Sequence, residues 1–131
     1  MDEILVVLRF KQLFGHNFHN LVKGESFFAD HEFLSQWYSQ GEEQDDSVVE
    51  RMIGLGLKVD LVEIQEAAVD LLKKNPPLEF STLELCEQQL IEEIENYIAK
   101  EKISQGTLQL LGDIANQAEM NLYKIKQRLA K

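Results

Sequence analysis

The run from Ser26 to Leu55 sets the strongest constraint on how this 131-residue chain can fold. Phe27, His31, Leu34, Tyr38, Gly41, Asp45, Val48, Met52 and Leu55 recur at alternating steps of four and three. That spacing returns each residue to one face of an α-helix. Local propensity disagrees in the middle, where Gln40 to Asp46 is polar and holds Gly41, a composition that reads as a loop. The stripe nevertheless resumes in phase beyond the acidic run, so Ser26 to Leu55 is predicted as one uninterrupted helix directing that stripe toward a core.

Other segments have the same period. Glu3 to Val22 carries Leu5, Leu8, Leu13 and Phe18 among polar residues and stops at Lys23-Gly24. Gly15 inside it lowers helix stability, which predicts a tight contact there. Asp60 to Lys74 has Leu61, Val62, Ile64, Ala68, Leu71 and Leu72, enough for a short amphipathic helix ended by Asn75-Pro76-Pro77. A capping box of Ser81 with Glu84 is expected to start a helix reaching Lys100. A last helix is expected from Thr107 to the C-terminus, where Lys124, Lys126, Arg128 and Lys131 would complement its dipole. The expected class is all-α: one domain over residues 1–131, with four long helices and a short one in the connection between the second and third.

Charge and cysteine content narrow the function. A net charge of −10 disfavours general affinity for nucleic acid, which rests on lysine and arginine displacing counterions, and suits a protein that handles cations. The one cysteine, Cys86, cannot close an internal disulfide, and no apolar run approaches the roughly 18 residues of a membrane span. The opening MDEILVVLRF lacks the basic start and small-residue cleavage site of a secretory signal, so a cytoplasmic location is expected. There is no Gly-rich phosphate loop, no Ser-His-Asp order and no paired-cysteine metal motif. The Glu-x-x-His pairs that build a di-iron centre within one bundle are also missing.

What remains is a set of imidazoles and carboxylates: His19, His31, Asp46 and Glu50. A mixed nitrogen and oxygen donor set suits iron or zinc better than calcium or magnesium. Within one chain the four cannot meet, because His31 and Asp46 lie fifteen residues apart on one helix, roughly 22 Å at 1.5 Å per residue. Yet at 100° per residue His31, Asp46 and Glu50 share a sector of about 100°. Two copies of the helix, antiparallel across a two-fold axis near residues 38 to 41, would bring His31 of one level with the carboxylates of the other. Ser35 and Ser39 at the crossing are small enough for close approach. An isologous dimer would then hold two identical sites, each built by both chains. Taken singly, the histidines read as structural and Asp46 with Glu50 as an exposed i,i+4 acidic pair beside Arg51.

The same residues resemble a known family. His-Asn-Leu-Val-Lys-Gly from His19, His31-Glu32 twelve residues on, Asp46 fifteen later and Glu50-Arg51 four after that are similar, without a gap, to the ferroxidase signature of the Dps proteins, the small ferritins that protect DNA during starvation. The resemblance implies a ferritin-like four-helix bundle with a short extra helix between the second and third, and a hollow homo-dodecamer built from two-fold dimers. It implies inter-subunit iron sites in which His19 and His31 of one chain face Asp46 and Glu50 of its partner. It also implies ferrous iron as substrate, hydrogen peroxide as the preferred oxidant, and storage of a ferric mineral. Imidazole and carboxylate together would bind ferrous iron, and the carboxylates would favour the ferric product.

Three positions depart from the family pattern. Asn20 stands where a tryptophan is usual, Tyr123 replaces another aromatic, and His16 stands where a lysine is common and is expected to support the carboxylates. Many relatives bind DNA through a lysine-rich N-terminal arm; here Asp2 and Glu3 open the first helix, so strong duplex binding is not expected. Two other readings stand beside the ferroxidase: a helical assembly with a structural metal such as zinc at the dimer contact, and a DNA-compacting cage.

Overall fold

The computed structural model describes residues 1–131 as five α-helices with no strand: α1 (Asp2–Leu21), α2 (Phe27–Gly54), α3 (Leu61–Lys73), α4 (Phe80–Lys100) and α5 (Gln105–Leu129). No helix is long and apolar enough to cross a membrane.

The acidic run lies inside α2, as its phase predicts. Gly41, the residue that most suggests a loop, is a contact point instead: a Cβ there would meet Lys11 Cγ at 3.2 Å and Gln12 Cγ at 3.3 Å. Gly15 does the same on α1, where a Cβ would come within 2.8 Å of Trp37 Cε3 and of Tyr38 Cβ. Each glycine costs helix propensity of about 1 kcal/mol and allows α1 and α2 to close on each other.

The core stripe of α2 is rotated from the expected one in its first half. Asp30, Leu34, Trp37, Gly41, Asp45, Val48 and Met52 are buried, whereas Phe27, His31 and Tyr38 are half-buried at the edge beside α1 and Leu55 is exposed. Beyond Gly54 the chain stops in a Schellman motif: Gly56, at φ 76°, donates its N–H to Ile53 O, and Leu57 donates to Met52 O.

Cross-helix contacts fix the directions. Arg9 meets Asp45 and His19 meets His31, so α1 and α2 are antiparallel. Lys11 meets Glu87 and Phe18 meets Phe80, so α1 and α4 are antiparallel. Gln40 meets Asn121 and Asp30 meets Arg128, so α2 and α5 are antiparallel, and Asn121 also meets Glu87 of α4. It follows that α2 and α4 run in the same direction, and the chain between them must travel the length of the bundle. Segment 55–79 does this, with α3 packed on α1 through the buried Ile64 and Ala68 and an Arg9 Nη1 to Gln65 Oε1 bond of 3.1 Å.

Two local expectations are corrected. α4 starts at Phe80 with Glu79 as N-cap and no side-chain cap; the Ser81 hydroxyl donates to Glu79 Oε2 at 3.1 Å, so no capping box with Glu84 forms. Thr82 Oγ1 instead donates to Pro77 O at 2.7 Å and anchors the chain entering α4. Arg128 does more than complement the α5 dipole: its guanidinium forks onto Asp30, Nε to Oδ1 at 3.0 Å and Nη2 to Oδ2 at 2.9 Å, tying the end of α5 to the start of α2.

The centre of the bundle holds a polar layer among the apolar side chains. Lys11 and Glu87 are both fully buried, with Lys11 Nζ 3.2 Å from Glu87 Oε1. Asn121 Nδ2 lies 2.6 Å from Glu87 Oε2 and 3.0 Å from Gln40 Oε1, and the Lys11 ammonium sits 4.9 Å from the centroid of the Trp37 ring.

Candidate metal centre

The close approach of α1 and α2 at Gly15 brings three imidazoles and a phenol together at one edge of the bundle. His19 of α1 and His31 of α2 meet with ring centroids 3.8 Å apart and ring planes tilted by 31°. His16, one turn before His19, has its centroid 6.2 Å from that of His19 and lies parallel to Tyr38 at 4.6 Å and 9°. Tyr38 also meets His19 edge-on at 5.5 Å, and Phe27 stacks on the outer side of His31 at 5.0 Å. His19 Nδ1 lies 3.1 Å from Asn20 Oδ1. With Nδ1 protonated and donating there, the lone pair stands on Nε2, the state in which an imidazole binds a cation.

The carboxylates are elsewhere. Asp46 and Glu50 are exposed on the distal half of α2, without a hydrogen bond or ion pair inside the chain. No three histidine, cysteine, aspartate or glutamate side chains gather into a metal-binding group within one chain. Single-chain geometry thus joins His19 to His31 and leaves Asp46 and Glu50 apart from both. Arg51 is turned to α5, with Nη1 3.3 Å from Thr107 Oγ1. Asp45, next to Asp46 in sequence, faces inward: Arg9 Nε donates to its Oδ2 at 2.7 Å while Oδ1 has no partner. Burial pushes the Asp45 carboxyl above its ordinary value, outweighing the pull of Arg9.

The flank of α2 that bears these groups has a further property. Phe28 and Ile53 are 85% and 62% exposed. At 100° per residue both fall in the same sector of about 100° as His31, Ser35, Ser39, Asp46 and Glu50. Along the helix the order is apolar, imidazole, small, small, carboxylate, carboxylate, apolar. A two-fold axis near residues 40 and 41 would pair Phe28 with Ile53 and His31 with Glu50 in one register. Large apolar side chains exposed at both ends of a flank with serines between them are what a self-complementary helix contact requires.

Sequence reasoning placed Tyr38 on the core stripe and so missed its contact with the imidazoles. That contact joins Tyr38 of α2 to His16 and His19 of α1, so no spacing within one helix signals it. The burial of Lys11 and Glu87 had no signal either, because a charged residue beside a polar neighbour, as Lys11 is beside Gln12 and Glu87 beside Gln88, reads as solvated.

No protein-family model matches the chain, and no solved structure matches it significantly. A curated protein, DNA protection during starvation protein 2 of Bacillus anthracis, is 36% identical over 61 residues, which cover 40% of this chain and 42% of that protein. The chain thus spans less than half of the length of this relative, and the likeness to the Dps family is partial.

Proposed function

We propose that the protein is a Dps-type mini-ferritin, a single ferritin-like domain that oxidises ferrous iron with hydrogen peroxide at inter-subunit sites and stores the ferric product as mineral in a hollow, cytoplasmic homo-dodecamer. The observation that carries this reading is the meeting of His19 with His31, ring centroids 3.8 Å apart, on a protein whose α2 leaves Asp46 and Glu50 exposed and so free to meet a second copy. The topology supports it: antiparallel pairs α1/α2 and α4/α5 joined by one long crossover are the arrangement of ferritin-like bundles. So does the partial likeness to a Dps protein.

The donor set suits the substrate. Two imidazoles and two carboxylates bind ferrous iron, and the carboxylates favour the more highly charged product. Across two ferrous ions the reaction balances as 2 Fe(II) + H2O2 + 2 H+ → 2 Fe(III) + 2 H2O, so peroxide and iron are removed together. The buried Lys11–Glu87 pair fills the middle of the bundle, where an ammonium would repel a metal ion, and this supports a site at a subunit contact over one inside the bundle. With a net charge of −10, protection acts through iron and peroxide rather than through contact with DNA.

The test is an anaerobic ferrous titration followed by hydrogen peroxide, on the native protein and on an Asp46→Asn, Glu50→Gln variant. The native protein is expected to oxidise iron and retain the product at the mass of a cage, with oxidation lost in the variant. Equal rates in the two proteins would dismiss the site; metal bound by the native protein without turnover would make it a structural metal contact instead.

A further inference from the structure

Two of the three imidazoles at the α1/α2 edge are held only by ring contacts: His16 lies on Tyr38, and His31 meets His19 and Phe27. His19 alone has a hydrogen-bond partner within the chain, with Asn20 Oδ1 lying 3.1 Å from its Nδ1. An amide oxygen only accepts, so this bond exists only while Nδ1 carries the ring proton. We propose that Asn20 is a positioning residue of the metal centre: it holds His19 in the Nδ1–H tautomer, so that Nε2 is the nitrogen offered to a divalent cation. The inference rests on the iron-binding reading above.

The two tautomers of a neutral imidazole offer a metal different atoms. Nδ1 adjoins the ring carbon that carries the side chain, whereas Nε2 is the nitrogen farther from the backbone. A ring free to exchange its proton between them presents the Nε2 lone pair only part of the time, and apparent affinity falls with the fraction in the competent state. One net hydrogen bond shifts such a ratio by roughly two- to tenfold. A partner on the ring N–H also raises the basicity of the nitrogen that binds the metal. Asn20 is free for this task, being exposed and with the bond to His19 as its side chain's one hydrogen bond.

The place of His19 in the fold suits a ring set in this way. It lies in the last turn of α1, where the helix dipole favours a cation. A tryptophan, usual at position 20 in the family that the chain resembles, offers an N–H donor and no acceptor, so it could not hold a proton on Nδ1. The tautomer lock is therefore a property of Asn20 in this chain.

The experiment labels the histidines of the assembled protein with nitrogen-15, sediments it free of metal at about pH 8, where imidazole is neutral, and records solid-state magnetic resonance spectra before and after addition of zinc, a redox-inert probe of the site. With three histidines in the chain, a His19→Gln sample identifies the signals of that ring. The native protein is expected to show His19 protonated at Nδ1 without metal and to bind zinc through Nε2. Asn20→Leu, which keeps the size of the side chain and removes the acceptor, is expected to shift the tautomer ratio toward Nε2–H by roughly two- to tenfold and to weaken zinc binding several-fold. Asn20→Asp, which restores an acceptor, is expected to retain Nδ1–H. A native His19 protonated at Nε2 would show the Asn20 amide turned to donate and overturns the proposal, as does zinc bound through Nδ1 or an unchanged ratio in Asn20→Leu. Failure of the native protein to bind zinc, with the metal-free spectra as expected, would instead overturn the metal-site reading and leave the hold of Asn20 on His19 standing.

Discussion

Replacing Glu87 by glutamine tests how the bundle is held at its centre. Lys11 and Glu87 are both fully buried, and Glu87 accepts from Lys11 at 3.2 Å through Oε1 and from Asn121 at 2.6 Å through Oε2. Glutamine keeps the shape but supplies one acceptor and one donor. With its oxygen turned to Asn121 its amide N–H groups face the Lys11 ammonium; turned the other way they face the Asn121 amide. In either pose a buried positive charge loses its counter-charge. Breaking a buried pair by removing one partner costs about 3–5 kcal/mol. The Trp37 face beneath Lys11 is present before and after the change and offsets none of this. At roughly 4 °C per kcal/mol for a chain of this size, Tm is expected to fall by about 12–20 °C. Lys11→Met together with Glu87→Gln removes both charges, and the double variant is expected to recover at least half of the loss, which a double-mutant cycle reads as strong coupling. The assay is urea unfolding followed by circular dichroism at one protomer concentration, because assembly shifts apparent stability. A Glu87→Gln variant within about 1 kcal/mol of the native protein, or a double variant no more stable than the single one, would refute the reasoning.

Ile53→Asp tests the α2 flank. Ile53 is 62% exposed, so the folded protomer is expected to change by less than about 0.5 kcal/mol. At a two-fold contact each of two copies would lose about 1.5–3 kcal/mol of apolar burial, weakening the dimer roughly 100-fold or more in sedimentation equilibrium; unchanged assembly would place the contact elsewhere. Asp45→Asn tests the pH behaviour of a buried acid. The folded-state pKa of Asp45 is raised above 3.8 by burial, so between these values the folded chain holds more protons than the unfolded one. Stability from Asp45 therefore increases as pH falls through the raised value and is complete below 3.8. Urea midpoints are expected to move in favour of the native protein, relative to Asp45→Asn, between about pH 7 and about pH 4; a difference constant with pH would contradict this.

The sequence by itself determined the helices. Apolar period is a local property, and α2 is continuous through Gln40 to Asp46 because its stripe keeps phase there, whatever the propensity of a glycine among acids. The same reading found the tight place at Gly15 and the short helix α3. The separation of His31 from Asp46 along α2 also follows from helical rise alone, so the need for a second copy, if the four donors share an ion, was legible in the spacing.

Only the tertiary structure decided which faces meet. The stripe of α2 turned toward Asp30 and Trp37 because α1 closes on it at Gly15 and Gly41, and that rotation moved His31 and Tyr38 to the edge where His16 and His19 arrive. Lys11 and Glu87 belong to different helices 76 residues apart, and neither predicts the burial of the other. The start of α4 was settled by Thr82 bonding back to Pro77 rather than by a capping pair read from spacing. A residue's period is written in its own helix, but its partner is chosen by how the helices pack, and packing is a property of the whole chain.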